Sequence, residues 1–460
     1  MKPRVPHQGQ SPLLADTAIE GLDRDHPLLI LASHIGWSSF DKSFSSLFQP
    51  NHLGGRPPAP VRLMVSLMML AYMYNLSDER VVELWAENPY WQSFSGFDFF
   101  HKQQPVDPSS LSRWRTRMGV SGVEQILSSV LEAAQKLGQL PRKSLEKVIV
   151  DSTVMPKAIT YPTDLKLYAK AIGKLVKQCR KDGISLKQSY SRLTKSAVVQ
   201  GSRSSRQGKK KEQAKQVKLL KMYLARLYRE VNVKLVGSSA SGELANLLPL
   251  IARLLSQTRE SKEKLYSLHA PEVSCIAKGK IAKRYEFGSK VSVGITHKEG
   301  FVVCSLALSG NPHDSKTLLD TLDQITLVTG VRPRRVAVDL GYRGHGVKDV
   351  EVLHPKRKLT KWFRSFVKRR QSIEPHIGHM KQDSKLGRCS LKGALGDKIH
   401  ALLCAVGYNL RKILRNIKEE LFFCVFRMQT QPLTLLFFSQ NRVFQDRLST
   451  LSLPKCLFLR

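Results

Sequence analysis

Two short aliphatic runs that each stop on an aspartate, Val148-Ile149-Val150-Asp151 and Val336-Ala337-Val338-Asp339, constrain the fold more than any other feature of this chain. A continuous apolar run of that length fits a strand buried on both faces, which needs helices or a second layer to cover it. Between the two runs, residues 289–296 alternate and residues 301–310 are nearly all apolar, with His-Lys-Glu-Gly as a hairpin turn between them. Residues 315–330 then carry a helical pattern, with Asp314 as its N-cap and Gly330 as its stop. Strand, hairpin, helix, strand, helix is the order of a mixed α/β core, and a last helical region spans about 397–416.

Upstream the texture is helical. Residues 1–25 are polar and patternless and are expected to be a disordered tail; residues 26–140 read as a helical N-terminal domain. The stretch 63–74 is apolar all round, too short to span a bilayer, and reads as a buried helix. Ser77 is a natural N-cap for a helix with Val81, Leu84 and Trp85 on one face. A second helix has Asp107 as N-cap, Pro108 at its first position and Gly119 as its stop. Arg113 and Arg117 lie one turn apart on it, with Arg115 off that face and Trp114 a core residue. A helix-turn-helix-like DNA reader and a helical domain with solvated arginines both fit.

The charge narrows the partners. Against 37 acidic residues stand 74 Lys and Arg, a net charge of +37, which points to a polyanion and above all to nucleic acid. Residues 165–235 concentrate this, with only Asp182, Glu212 and Glu230 acidic; helical spacing there is broken by a flexible 200–211 stretch that holds Lys209, Lys210 and Lys211. This basic helical segment is read as tracking phosphates. Seven scattered cysteines with no CxxC pair argue for a reducing compartment and against a disulfide framework or zinc module. No signal pattern or membrane span is visible.

Carboxylates in so basic a chain ask for a reason. Phosphodiester hydrolysis or transfer uses Mg²⁺, a cation held by a few carboxylates together with substrate phosphate. Asp151 and Asp339 end strands, and Glu374 sits on a predicted helix where Arg370, Glu374 and Lys381 project from nearly one face. Singly each has a plainer reading, as a turn residue or a surface ion-pair cluster. His376 and His379 lack the companions of a zinc site and are read as packing or DNA-facing, and Asp314 beside His313 as a helix cap rather than half of a catalytic pair.

With those motifs the chain resembles DDE transposases of bacterial insertion sequences, specifically the insertion sequence five family within the group sharing a Y-x2-R-x3-E-x6-K signature. Arg370, Glu374 and Lys381 match the R, E and K, while Val367 stands at the Tyr position. Asp-Ser-Thr at 151–153, the 338–344 segment Val-Asp-Leu-Gly-Tyr-Arg-Gly, the 373–393 segment and Gly407–Leu414 resemble the family's aspartate motifs, third motif and closing helix; the similarity covers about residues 30–416. The resemblance implies a ribonuclease-H-like catalytic domain over 141–416 with the basic helical insertion at 160–268. It implies Asp151, Asp339 and Glu374 as catalytic ligands of Mg²⁺, for which Mn²⁺ can substitute, with Arg370 and Lys381 on DNA phosphates. The implied activity is end cleavage and strand transfer on double-stranded DNA, both transposon ends and target, by a homodimer or larger synaptic complex in the bacterial cytoplasm, at the nucleoid. An inactive remnant or regulator that only binds ends, and a structural nucleic-acid coat, are the competing classes. Residues 417–460 do not resemble the family's usual ending and are expected to be a poorly ordered extension.

Overall fold

The computed structural model describes residues 19, 21–44, 47, 58–236, 242–258, 260–262, 264–277, 284–355 and 360–438, without the side chains of 361, 362 and 424–438. The expected tail before residue 19 and the last residues after 438 lie outside the described residues.

Helices come first: α1 (Pro27–His34), α2 (Trp37–Phe44), α3 (Val61–Met73), α4 (Asp78–Glu87), α5 (Pro89–Phe94) and α6 (Ser109–Lys136). Every residue of α3 but Arg62 is buried, as a helix apolar on all sides requires. Ser77 caps α4 by accepting from the Arg80 amide, and Val81 and Trp85 are buried beneath it. Gly119 does not end α6. It holds a left-handed φ of 69° at a kink, and the chain turns helical again at once.

Strand β1 (Lys147–Pro156) opens the sheet. It runs five residues beyond Asp151, so this aspartate sits in mid-strand and not at the end expected from the aliphatic run. Helices α7 (Asp164–Lys181), α8 (Ser191–Arg206), α9 (Lys210–Lys234) and α10 (Gly242–Ser256) follow. The break expected across 200–211 is narrower than that: α8 continues through Arg206, and Gln207–Lys209 alone form the turn. Leu165, Ile172, Leu175, Leu220, Leu224 and Leu227 are among the residues that give this basic unit a core of its own, separate from that of the sheet.

The remaining strands are β2 (Ser274–Ala277), β3 (Tyr285–Thr296), β4 (Val302–Leu308), β5 (Arg335–Ala337) and β6 (Glu351–Leu353). Their order is β2-β3-β1-β5-β6, with β4 also on β3. β1 is antiparallel to β3 but parallel to β5, and β5 is parallel to β6, so the sheet is mixed as the α/β reading anticipates. Helix α11 (Leu318–Thr329) covers β4 and ends on Gly330 in the left-handed region. Helices α12 (Lys361–Lys368), α13 (Ile373–Asp383) and α14 (Gly393–Phe438) complete the chain. α14 packs on α3, α6 and β4, so one continuous core joins the N-terminal helices to the sheet. Its helical backbone continues from the family-like region through residues 417–438. Among the described residues no helix is long and apolar enough to cross a membrane.

Candidate active site

Strand register brings the two aspartates side by side. Ile149 pairs with Ala337 across the parallel β1–β5 ladder, and Asp151 and Asp339 each lie two residues further on. Neighbouring strands run about 4.8 Å apart, so two carboxylates at this level feel each other. Asp339 leaves β5 into a 3₁₀ turn (Leu340–Tyr342), where its Oδ1 accepts from the Gly341 amide at 2.9 Å. Asp151 Oδ1 accepts from the Ser152 amide at 2.8 Å. Burial pushes the Asp151 carboxyl up to about 6; Ser152 and Arg370 pull against this, while the Asp339 and Asp314 carboxylates add to it.

Asp314 is the member the sequence reading misplaced. Thr317, not Asp314, is the N-cap of α11, and Asp314 opens a separate 3₁₀ turn (Asp314–Lys316). Its Oδ1 pairs with Lys290 Nζ at 2.7 Å, and its Oδ2 approaches Gly341 so closely that a Cβ there would stand 3.3 Å away, with Asp339 Oδ1 at 3.1 Å. Tyr342 is wholly buried beneath these groups, and burial followed by the Asp314 and Asp151 charges drives its hydroxyl far above the ordinary range. The periodicity that made Asp314 a plausible cap carries no information about which strand it would face.

Arg370, Glu374 and Lys381 do not share one helix. Arg370 belongs to a 3₁₀ segment (Arg369–Ser372), and α13 begins only at Ile373, so the helical projection from Arg370 fails while that from Glu374 to Lys381 holds. Arg370 Nη1 turns to Asp151 Oδ2 at 3.2 Å instead of to Glu374. α13 packs against β1, yet Glu374 is exposed and has neither hydrogen bond nor ion pair among the described residues. Among the described residues no three His, Cys, Asp or Glu side chains are grouped closely enough to hold a metal ion. Asp151 and Asp339 stand together at one level of the sheet, and Glu374 rises from the helix that packs on β1. Two mutually repelling oxygen donors suit a hard divalent cation, which is commonly held by one or two carboxylates plus substrate phosphate.

The other candidate residues are dispersed. Arg113 and Arg117 are exposed on α6, Arg113 donating to Ser109 Oγ at 2.8 Å, while Arg115 between them is buried against Asp78. Trp114 is core. Lys209, Lys210 and Lys211 are exposed where the chain enters α9. Val367, at the signature's Tyr position, is buried. His376 Nδ1 lies 2.5 Å from Tyr408 Oη, and burial and then the Lys412 charge lower the imidazole to about 4.

Comparison with known proteins gives these residues a setting. The family described as "Transposase domain (DUF772)" matches residues 17–117, and that described as "Transposase DDE domain" matches residues 258–410. Asp339, Glu374, Arg370 and Lys381 fall within the second match; Asp151 precedes it. "Uncharacterized protein ORF8 in nfe locus" of Rhizobium meliloti is 45% identical over 203 residues, covering 44% of this chain and 97% of that protein. No solved structure matches. Two transposase matches, one over the N-terminal helices and one over every strand of the mixed sheet but β1, identify the chain as a member of the DDE transposases.

Proposed function

We propose that the chain is the transposase of an insertion sequence related to the insertion sequence five family. It binds the terminal inverted repeats of its element, hydrolyses the phosphodiester at each end to free a 3′ hydroxyl, and joins that hydroxyl to target DNA. The observation that carries this reading is the side-by-side placement of Asp151, on β1, and Asp339, just past the parallel strand β5, within a chain matched by transposase families. The sheet, antiparallel on one side of β1 and parallel on the other, supports a ribonuclease-H-like core over 141–416 with the helical insertion at 160–268, behind an N-terminal DNA-binding domain at 26–140.

Asp151 and Asp339 would hold Mg²⁺ or Mn²⁺, and Glu374, unengaged and exposed on α13, would close on the ion with the DNA in place. The cation would stabilise the attacking and leaving oxygens of an in-line displacement. Arg370 keeps the buried Asp151 carboxylate ionised and oriented. Lys381, Arg113, Arg117 and the Lys209–Lys211 run meet phosphates, and two protomers synapse two ends in the bacterial cytoplasm. A second reading, an end-binding regulator without cleavage, is favoured by there being no group of three metal-ligating side chains among the described residues.

The test is end cleavage by purified protein on DNA bearing the repeats that flank its gene, in Mg²⁺, Mn²⁺ or EDTA, with Glu374→Gln in parallel. Metal-dependent 3′ hydroxyls at the repeat boundary, lost in the variant, are expected. Specific binding without cleavage in either metal would establish the regulator instead.

A further inference from the structure

Carboxylate oxygens from two separate turns converge on the backbone at Gly341. A Cβ added there would stand 3.1 Å from Asp339 Oδ1, 3.3 Å from Asp314 Oδ2 and 3.6 Å from Asp339 Oδ2, and these three oxygens are its nearest neighbours. Gly341 is not among the glycines with left-handed backbone, so its conformation does not demand glycine. What the missing side chain does is leave the space between the two carboxylates open. Asp314 and Asp339 reach it from the 3₁₀ turns Asp314–Lys316 and Leu340–Tyr342, which pack against each other.

Two like charges brought this close are unfavourable unless a cation stands with them. Lys290 answers only part of the need. Its Nζ donates to Asp314 Oδ1 at 2.7 Å and to Pro312 O at 2.8 Å, which fixes the carboxylate by one oxygen and leaves Oδ2 turned toward Asp339. Beneath them Tyr342 is wholly buried, and its hydroxyl feels the charges of Asp314, Asp151 and Asp339. That hydroxyl lies beside Ser292, which already accepts from Thr321 Oγ1 at 2.8 Å, and closes no hydrogen bond of proper geometry among the described residues. A buried polar atom left in this state marks a place for an ion or its water. The three aspartates are not one three-ligand group among the described residues; they form two pairs with Asp339 common to both.

We infer that Asp314 is a further ligand of the divalent-cation site: with the Asp339 carboxylate across Gly341, its Oδ2 holds a Mg²⁺ or Mn²⁺ ion beside the one assigned to Asp151 and Asp339. The inference rests on the transposase reading and adds to it a ligand outside the aspartate and glutamate motifs. The donors fit a hard cation, being oxygen only, with the remaining positions left to water and DNA phosphate. Lys290 is then a positioning residue, whose bond to Oδ1 aims Oδ2 at the ion.

Full-length protein is titrated with Mn²⁺, with and without end duplex, and the free ion is counted by its electron paramagnetic resonance signal. The parent is expected to take up two ions. Asp314→Asn should weaken one of them about 10-fold or more. Gly341→Ala keeps every carboxylate but fills the space between them with a methyl group, and should do the same. Lys290→Met breaks the ion pair yet leaves the Asp314 charge, and should bind Mn²⁺ at least as tightly as the parent. A loss in Lys290→Met equal to that in Asp314→Asn would make Asp314 a structural partner of the lysine and overturn the assignment. Parent-like titrations of Asp314→Asn and Gly341→Ala, with an ion still lost in Asp151→Asn, would overturn it too and leave the transposase reading standing. A parent that takes up no Mn²⁺ with or without duplex would sink that reading itself.

Discussion

Arg370 Nη1 stands 3.2 Å from Asp151 Oδ2, a cation delivered by a 3₁₀ turn to a carboxylate in the middle of a sheet. The guanidinium opposes the burial that raises the Asp151 carboxyl, so removing it leaves the proton on to higher pH. A hydrogen bond to a charged group is worth about 1.5–3 kcal/mol. Arg370→Ala should lower end cleavage about 10- to 100-fold near neutral pH and move the acid limb of the pH–rate profile upward. A variant with a reduced rate but an unmoved acid limb would show that Arg370 acts on the DNA and not on Asp151.

Asp151 is expected to trade stability for function. Its folded-state value of about 6 lies above the ordinary 3.8, so the folded chain holds the proton more tightly than the unfolded one. This contribution is fully present below the unfolded value and is lost as pH rises through about 6. Asp151→Asn should therefore raise neutral-pH stability by about 1–3 kcal/mol while abolishing cleavage, with the gain vanishing in acid. Thermal melts of both proteins across pH check it.

His400 works in the opposite direction. Its Nδ1 lies 2.8 Å from Tyr72 Oη and its Nε2 3.0 Å from Lys385 O, and burial holds the imidazole down at about 4 against an ordinary 6.5. The unfolded chain takes up the proton first, so stability falls as pH drops from 6.5 to about 4. Denaturant unfolding should show a loss of up to about 3 kcal/mol across this window, and His400→Gln should flatten it.

Gly407 lets α14 lie directly on α3. A Cβ at this position would stand 2.4 Å from Tyr72 O and 2.5 Å from its carbonyl carbon. Both contacts are backbone, which cannot swing aside as a flexible side chain would. Gly407→Ala should cost about 1–3 kcal/mol, read as a lower denaturation midpoint.

Replacing Lys209, Lys210 and Lys211 together by Ala should weaken binding to any duplex and reduce the salt slope by about 2–3. All three are exposed at the start of α9, remote from the buried core of their unit, so its melting should stay unchanged. An unaltered slope would remove this turn from the DNA interface.

Local pattern in the sequence was enough for the mixed α/β class, the all-round buried α3, the Ser77 cap, the Gly330 stop and the basic helical unit, because periodicity and capping chemistry act over a few residues. It also singled out Asp151 and Asp339 by their aliphatic runs. Only the tertiary structure decided that the β1–β5 register sets those two aspartates at one level, and that β1 runs on past the first. The same holds for Arg370, whose helical projection toward Glu374 gives way to a 3₁₀ turn and a pairing with Asp151 across 219 residues of chain. Asp314 is a further case: a cap pattern cannot show that a carboxylate faces Lys290 and Asp339. Long-range pairing depends on how separate elements pack, and that information lies in the shared core and not in any window of the sequence.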